Sequence, residues 1–114
     1  MYWAVDSFAS LMPGHVTETD EVPYELWHDS MTFFAQMVSP WVSMVRPAAF
    51  AATVDAIAEL RPTVISGGHM AALRGERLAE SMHIMRSLPN LPVAELPGQA
   101  DLDELLLAAT RAAV

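Results

Sequence analysis

The 114-residue sequence contains no cysteine and no lysine. The absence of cysteine excludes disulfides and thiolate metal sites within the chain, and it leaves the redox compartment undefined. The absence of lysine leaves six arginines against fourteen acidic residues, which gives a net charge of −8. Because phosphate neutralisation needs a basic patch, the sequence predicts no nucleic-acid binding and no attachment to an anionic membrane surface.

Long hydrophobic runs are also missing, although hydrophobic residues make up 53% of the chain and the mean hydropathy is +0.26. No apolar run reaches the roughly 18 residues that a membrane span needs, so we expect no membrane partner. Residues 1–6 contain no basic region, which predicts no signal peptide and a cytoplasmic location. We expect the apolar excess to form an exposed face that is covered by homodimerisation or by a complementing protein chain.

Two short strands are predicted, over residues 2–5 and 63–66. The second follows Pro62 and contains the β-branched run Thr63-Val64-Ile65, which suits a buried strand. Ser66-Gly67-Gly68 then ends it, because glycine tolerates turn dihedral angles. Two strands do not make an independently stable sheet, so we expect further strands from an upstream segment or from a second copy of the chain.

Four helices are predicted from apolar residues that recur at three- and four-residue steps. They cover residues 24–38, 48–60, 74–88 and 102–113. Prolines and glycines separate these segments, as expected for residues that end helices and favour turns. The sequence therefore predicts a mostly helical α/β fold in one partial domain that covers residues 1–114.

A carboxylate and an imidazole follow the two predicted strands. Asp6 comes directly after the first strand, and His69 follows the glycines that end the second. Equivalent ends of parallel strands meet at one edge of a sheet, where Asp6 and His69 could together ligate zinc or iron. Two ligands do not complete a metal site, which needs four, or three and a water. The alternative interpretation is that His69 is an ordinary turn residue.

The segments around Asp6 and His69 resemble a known family. Asp6-Ser7-Phe8-Ala9 after a strand, a helical insertion, and then Val64-Ile65-Ser66-Gly67-Gly68-His69 are similar to the C-terminal half of a metallo-β-lactamase-fold protein. The branch with flavodiiron-like, oxygen-reducing and simple metallohydrolase members is the most similar. The resemblance covers residues 2–88 and implies half of an αββα sandwich. It also implies that Asp6 bridges two metal ions and that His69 ligates the second, with Ser7, Phe8, Gly67 and Gly68 as the adjoining motif residues.

The chain also departs from that family. The His-x-His-x-Asp-His cluster that supplies most of the family's metal ligands is absent, and so is the additional histidine that normally precedes the aspartate. The resemblance thus implies a truncated or split form, inactive alone, whose parent activity is metal-dependent hydrolysis or di-iron redox chemistry. The alternative function is a non-catalytic helical interaction or dimerisation module, in which Asp6 and His69 have no metal role.

The other histidines are weaker candidates for a site. His15 could approach the same sheet edge but fits a solvated loop; His28 fits a surface pair with Asp29, and His83 fits a partly buried helix position. A stretch rich in methionine and aromatic residues predicts an interface, with an apolar ligand pocket as the weaker alternative. Its members are Trp27, Met31, Phe33, Phe34, Met37, Trp41 and Met44.

Overall fold

A parallel two-stranded sheet joins the beginning of the chain to its middle in the computed structural model, which describes residues 1–113. Strand β1 (Tyr2–Trp3) pairs with strand β2 (Ile65–Ser66), and Tyr2 lies opposite Ile65. The N–H groups of Tyr2 and Ala4 donate to the carbonyl oxygens of Val64 and Ser66, at 2.8 and 2.7 Å. The sheet therefore brings the two predicted strand exits to the same edge.

Both strands are shorter than the sequence predicts. β1 ends before Val5, because Val5 adopts a left-handed conformation with φ of 56° that cannot continue a strand. β2 begins at Ile65, and Val64 contributes only a carbonyl oxygen to the pairing. On its other side, Ile65 exchanges two backbone hydrogen bonds with Leu73, at 2.9 and 3.0 Å. This bridge covers part of the edge of β2 that faces away from β1.

Residues 1–113 contain four α-helices, as predicted. They are α1 (Tyr24–Val38), α2 (Pro47–Glu59), α3 (Gly75–Ser87) and α4 (Gln99–Ala112). Three short 3₁₀ segments lie between them or precede them, at Thr19–Glu21, Pro40–Met44 and Leu88–Asn90. Among residues 1–113, no helix is both long enough and apolar enough to cross a membrane. The structure is thus mostly helical with one small parallel sheet.

Helix α4 begins three residues earlier than the sequence predicts. Gly98 is the N-cap residue, and the Asp101 carboxylate accepts the Gly98 N–H at 2.7 Å. A carboxylate in the first turn satisfies an unpaired N–H and interacts favourably with the helix dipole. Asp101 therefore stabilises the start of α4 from a position within its first turn.

The hydrophobic core lies between the sheet and helices α1, α2 and α3. Trp27 and Met31 on α1 are completely buried, as are Ile65 in β2 and Leu73 just after it. Helix α3 has α2 as its main neighbour. The core also contains Ala4, Phe8, Val22, Val42, Val54, Met82, Ile84, Met85 and Leu88. These side chains come from β2, from the first three α-helices and from segments that flank these elements and β1, and none comes from α4.

Helix α4 contributes nothing to that core. None of its residues is buried, and its four leucines, Leu102, Leu105, Leu106 and Leu107, are 48–67% exposed. The described part of the molecule is elongated, with extents of 54 × 32 × 22 Å. Helix α4 thus presents an apolar surface that has no partner within the described residues. An isolated helix of this length is only marginally stable in water.

Candidate functional site

The structure places Asp6 and His69 side by side. Nε2 of His69 lies 3.6 Å from Oδ1 of Asp6, at the edge of the sheet where β1 and β2 both end. Both side chains are accessible, with 55% of Asp6 and 68% of His69 exposed. The parallel pairing of the strands is the cause, because it brings two residues that are distant in sequence to equivalent ends.

A backbone hydrogen bond joins the two turns that carry Asp6 and His69. The carbonyl oxygen of Val5 accepts the N–H of Gly68 at 2.7 Å. Gly67 packs so closely against this same oxygen that a Cβ atom at position 67 would overlap it, whereas a Cβ on Gly68 would make only ordinary contacts. Gly67 is therefore required for close approach of the turns, and both glycines position the pair through their backbones.

Ser7 and Phe8 have different surroundings. Ser7 is exposed, and its N–H donates to the Ala4 carbonyl at 3.0 Å, which closes the turn after β1. Phe8 is only 2% exposed and makes an edge-to-face contact with Tyr2, with ring centroids 6.5 Å apart. Phe8 thus anchors the turn in the core, since aromatic pairs of this geometry are favourable.

The separation of the two donor atoms suits a shared metal ion. Metal–ligand distances of about 2.0–2.2 Å in tetrahedral geometry put two ligand atoms about 3.4 Å apart. The distance from His69 Nε2 to Asp6 Oδ1 is 3.6 Å, close to that value. Among residues 1–113, no group of three or more potential ligand side chains could hold a metal ion. This part of the structure therefore offers two candidate ligand atoms, an imidazole nitrogen and a carboxylate oxygen.

The remaining histidines lie elsewhere or approach only the rim of this region. His15 and His69 line a common surface depression, together with Ser10, whose buried hydroxyl has no hydrogen-bond partner among the described residues. His28 pairs with Asp29 at 3.1 Å, as predicted. His83 is exposed, contrary to the expected partial burial, because the core side of α3 is occupied by other residues.

An apolar cavity of about 520 Å³ lies on the other side of Asp6. Its walls come from the turn after β1, the end of α1, the Pro40–Met44 segment, α2 and the end of α3. The apolar ligand pocket that the sequence predicts as an alternative lies within the stretch from Trp27 to Met44, and Trp41 is the one methionine or aromatic member of that stretch that lines this cavity. No local pattern could have revealed the other walls, because they are assembled from distant segments.

The methionine- and aromatic-rich stretch divides into two parts. Trp27, Met31 and Phe34 are buried core residues of α1, at 0–6% exposure. The remaining members point outward to different degrees, with Trp41 50% and Met44 81% exposed. The stretch is therefore partly ordinary helix core, and its most exposed members are at its C-terminal end.

Comparison with models of protein families, with curated proteins and with solved structures found no match for this chain. The functional interpretation thus rests on the residues themselves and on their arrangement. The Asp6–His69 pair, the glycine contact that holds it and the adjacent apolar cavity are the three features on which a function can be argued.

Proposed function

We propose that this chain corresponds to the C-terminal half of a metallo-β-lactamase-fold protein and contributes Asp6 and His69 to a metal site completed by ligands from outside the chain. The observation that supports this function is the 3.6 Å approach of Asp6 Oδ1 and His69 Nε2. An imidazole and a carboxylate are ligands common to zinc and to non-haem iron. The spacing of the two atoms agrees with binding to a single ion.

The residues of this chain hold and orient the ion. The Asp6 carboxylate and the His69 imidazole are the ligands, while the Val5–Gly68 hydrogen bond and Gly67 keep their turns together. A zinc ion there would supply Lewis-acid activation for hydrolysis, and a pair of iron ions would supply redox chemistry. With only two ligands from this chain, we expect the isolated monomer to be inactive.

A second protein chain supplies the missing ligands in this proposal. More than half of each ligand side chain is exposed, so both are accessible to a partner. Two copies of the pair would provide two carboxylates and two imidazoles, the four ligands that a closed zinc site requires. A complementing chain that carries a histidine cluster would serve the same purpose. The proposal thus includes either a homodimer or a heteromeric complex.

Elemental mass spectrometry of untagged protein, equilibrated with zinc or with ferrous iron and then dialysed, tests this function. We expect retained metal in the wild type and none in Asp6→Asn/His69→Gln. His28→Gln/Asp29→Asn is the matched control, because it removes another exposed histidine–aspartate pair, 3.1 Å apart. Metal-free wild type under all conditions would refute a site shared between two copies of the chain. Equal metal loss from both double variants would refute the Asp6–His69 site altogether.

A second candidate function is a non-catalytic dimerisation module. The observation that favours it is the exposure of α4, in which Leu102, Leu105 and Leu106 recur at three- and four-residue steps. Such a face is typical of helices that pack against a partner helix or groove. Metal-free protein that sediments as a dimer, and dissociates when Leu105→Ser/Leu106→Ser is introduced, would support this function.

A further inference from the structure

We propose that the cavity beside Asp6 binds the aliphatic chain of a neutral, ester-type ligand whose polar end lies at the Asp6–His69 pair. This inference rests on the proposed metal site for the role of the polar end. The cavity of about 520 Å³ shares Asp6 and Ser7 with that site. Its volume lies within the range of about 300–1,000 Å³ that is typical of small-molecule pockets.

The floor of the cavity is a buried apolar surface. Phe8, Val54 and Leu88 are each 2% exposed and come from the turn after β1, from α2 and from the segment after α3. The rim is also apolar, and Val5 and Trp41 on it are 57% and 50% exposed. A site with this composition gains affinity by burying hydrocarbon, roughly fourfold for each buried methylene group.

Polar groups in the lining are few. Thr53 donates its hydroxyl to the Ala49 carbonyl at 3.2 Å, so its O–H donor is already used within α2. Ser39, which follows α1, also lines the cavity. Asp6 and Ser7 are exposed at the rim, and Asp6 connects the cavity to His69. A ligand therefore finds hydrocarbon contacts inside the cavity, and polar contacts where Asp6 and Ser7 join the rim.

The charge around the cavity selects against an anionic ligand. Asp6 is the one charged residue among those that line it, and the chain carries a net charge of −8. No arginine is present in the lining to pair with a carboxylate. A fatty acid anion would be repelled by Asp6, whereas the uncharged ester of the same chain length would not. This selection applies to the metal-free protein, because a metal ion held by Asp6 would offset its charge and remove both the repulsion of an anion and the attraction of a cation.

Displacement of the neutral fluorophore N-phenyl-1-naphthylamine from metal-free protein tests the cavity separately from the metal site. We expect methyl decanoate to displace the probe, and decanoate to bind roughly fivefold more weakly or worse because of Asp6. Asp6→Asn should reduce that difference. Thr53→Trp, which places an indole at the cavity wall, should weaken binding about tenfold or more, as loss of several buried methylenes implies.

Ala52→Trp is the matched control, since Ala52 is exposed on α2 and does not line the cavity. Equal effects of both tryptophan variants, or no displacement by methyl decanoate, would overturn the proposal. Stronger probe binding by Leu105→Ser/Leu106→Ser would also overturn it, by showing that α4 of a second copy occupies the cavity. Ester binding that persists in Asp6→Asn/His69→Gln, without metal in the wild type, would refute a metal site shared between two copies and leave the cavity proposal standing.

Discussion

Gly67 lies directly against the carbonyl oxygen of Val5, and no larger residue fits at that position without displacing the backbone. The same oxygen accepts the N–H of Gly68 at 2.7 Å, and Val5 itself is held at a φ of 56°. A β-branched residue in this region of backbone space is strained, and such strain persists only where the surrounding structure imposes it. The contact ties together the two turns that carry Asp6 and His69.

Replacing Gly67 by alanine should therefore destabilise the protein and disturb the Asp6–His69 pair. We expect Gly67→Ala to lower the free energy of unfolding by about 1–3 kcal/mol, because the added methyl group overlaps the Val5 carbonyl oxygen. Urea denaturation followed by circular dichroism measures this change. Gly14→Ala is the control, since no atom lies within 4 Å of a Cβ at that position. Equal stability of the two variants would show that the contact is not tight.

Arg77 stabilises the packing of α3 on α1 in a way that lysine cannot reproduce. Its guanidinium lies 4.9 Å from the ring centroid of Trp27 and 5.1 Å from that of Tyr24, and it donates to the Val22 carbonyl at 2.9 Å. We expect Arg77→Lys to lower the free energy of unfolding by about 1–2 kcal/mol through loss of stacking and of this hydrogen bond. Arg111→Lys on exposed α4 should change nothing measurable in the same urea titration; a comparable loss there would contradict this interpretation.

Glu21 links stability to pH in the acidic range. Its Oε1 atom accepts the Thr17 hydroxyl at 2.6 Å and the Glu18 N–H at 2.8 Å. The Thr17 hydroxyl, followed by the Glu18 N–H, lowers the pKa of Glu21 below its ordinary value of 4.5. Because the unfolded state binds the proton first, this contribution is complete above pH 4.5 and is lost as the pH falls through the lower folded-state pKa.

Thermal unfolding measured from pH 6 down to pH 3 in wild type and in Glu21→Gln tests this linkage. The difference in stability between the two proteins should be largest near neutral pH and should shrink on acidification, because only the wild type loses an ionised hydrogen-bond acceptor. A difference that stays constant over the whole pH range would show that Glu21 does not titrate differently in the two states.

The leucines of α4 should matter little to the stability of a single chain. Since no residue of α4 is buried, we expect Leu105→Ser/Leu106→Ser to change the free energy of unfolding of dilute monomer by less than about 0.5 kcal/mol. Met31→Ala, at a completely buried position of α1, should cost about 2–5 kcal/mol under the same conditions. A large loss in the leucine variant at low concentration would mean that α4 packs on its own chain.

Local features of the sequence were sufficient to predict the helices and the position of the sheet. Apolar periodicity located α1, α2, α3 and α4 to within a few residues, because helix amphipathicity is a local property. Strand lengths were overestimated, since the left-handed turn at Val5 depends on a contact with Gly67 that lies far along the chain. Partial burial of His83 was also predicted wrongly. His83 follows the buried Met82, but apolar periodicity does not define the edge of the buried helix face to a single residue.

The sequence by itself determined the elements and the chemistry available to them. It placed a carboxylate and an imidazole after two strands, excluded thiolate ligands, and left a net charge of −8. Only the tertiary structure decided the 3.6 Å separation of Asp6 and His69, the 520 Å³ cavity beside them and the exposure of α4. The physical reason is that residue type and periodicity act over a few neighbours, whereas these three features arise from parallel pairing and packing between distant segments.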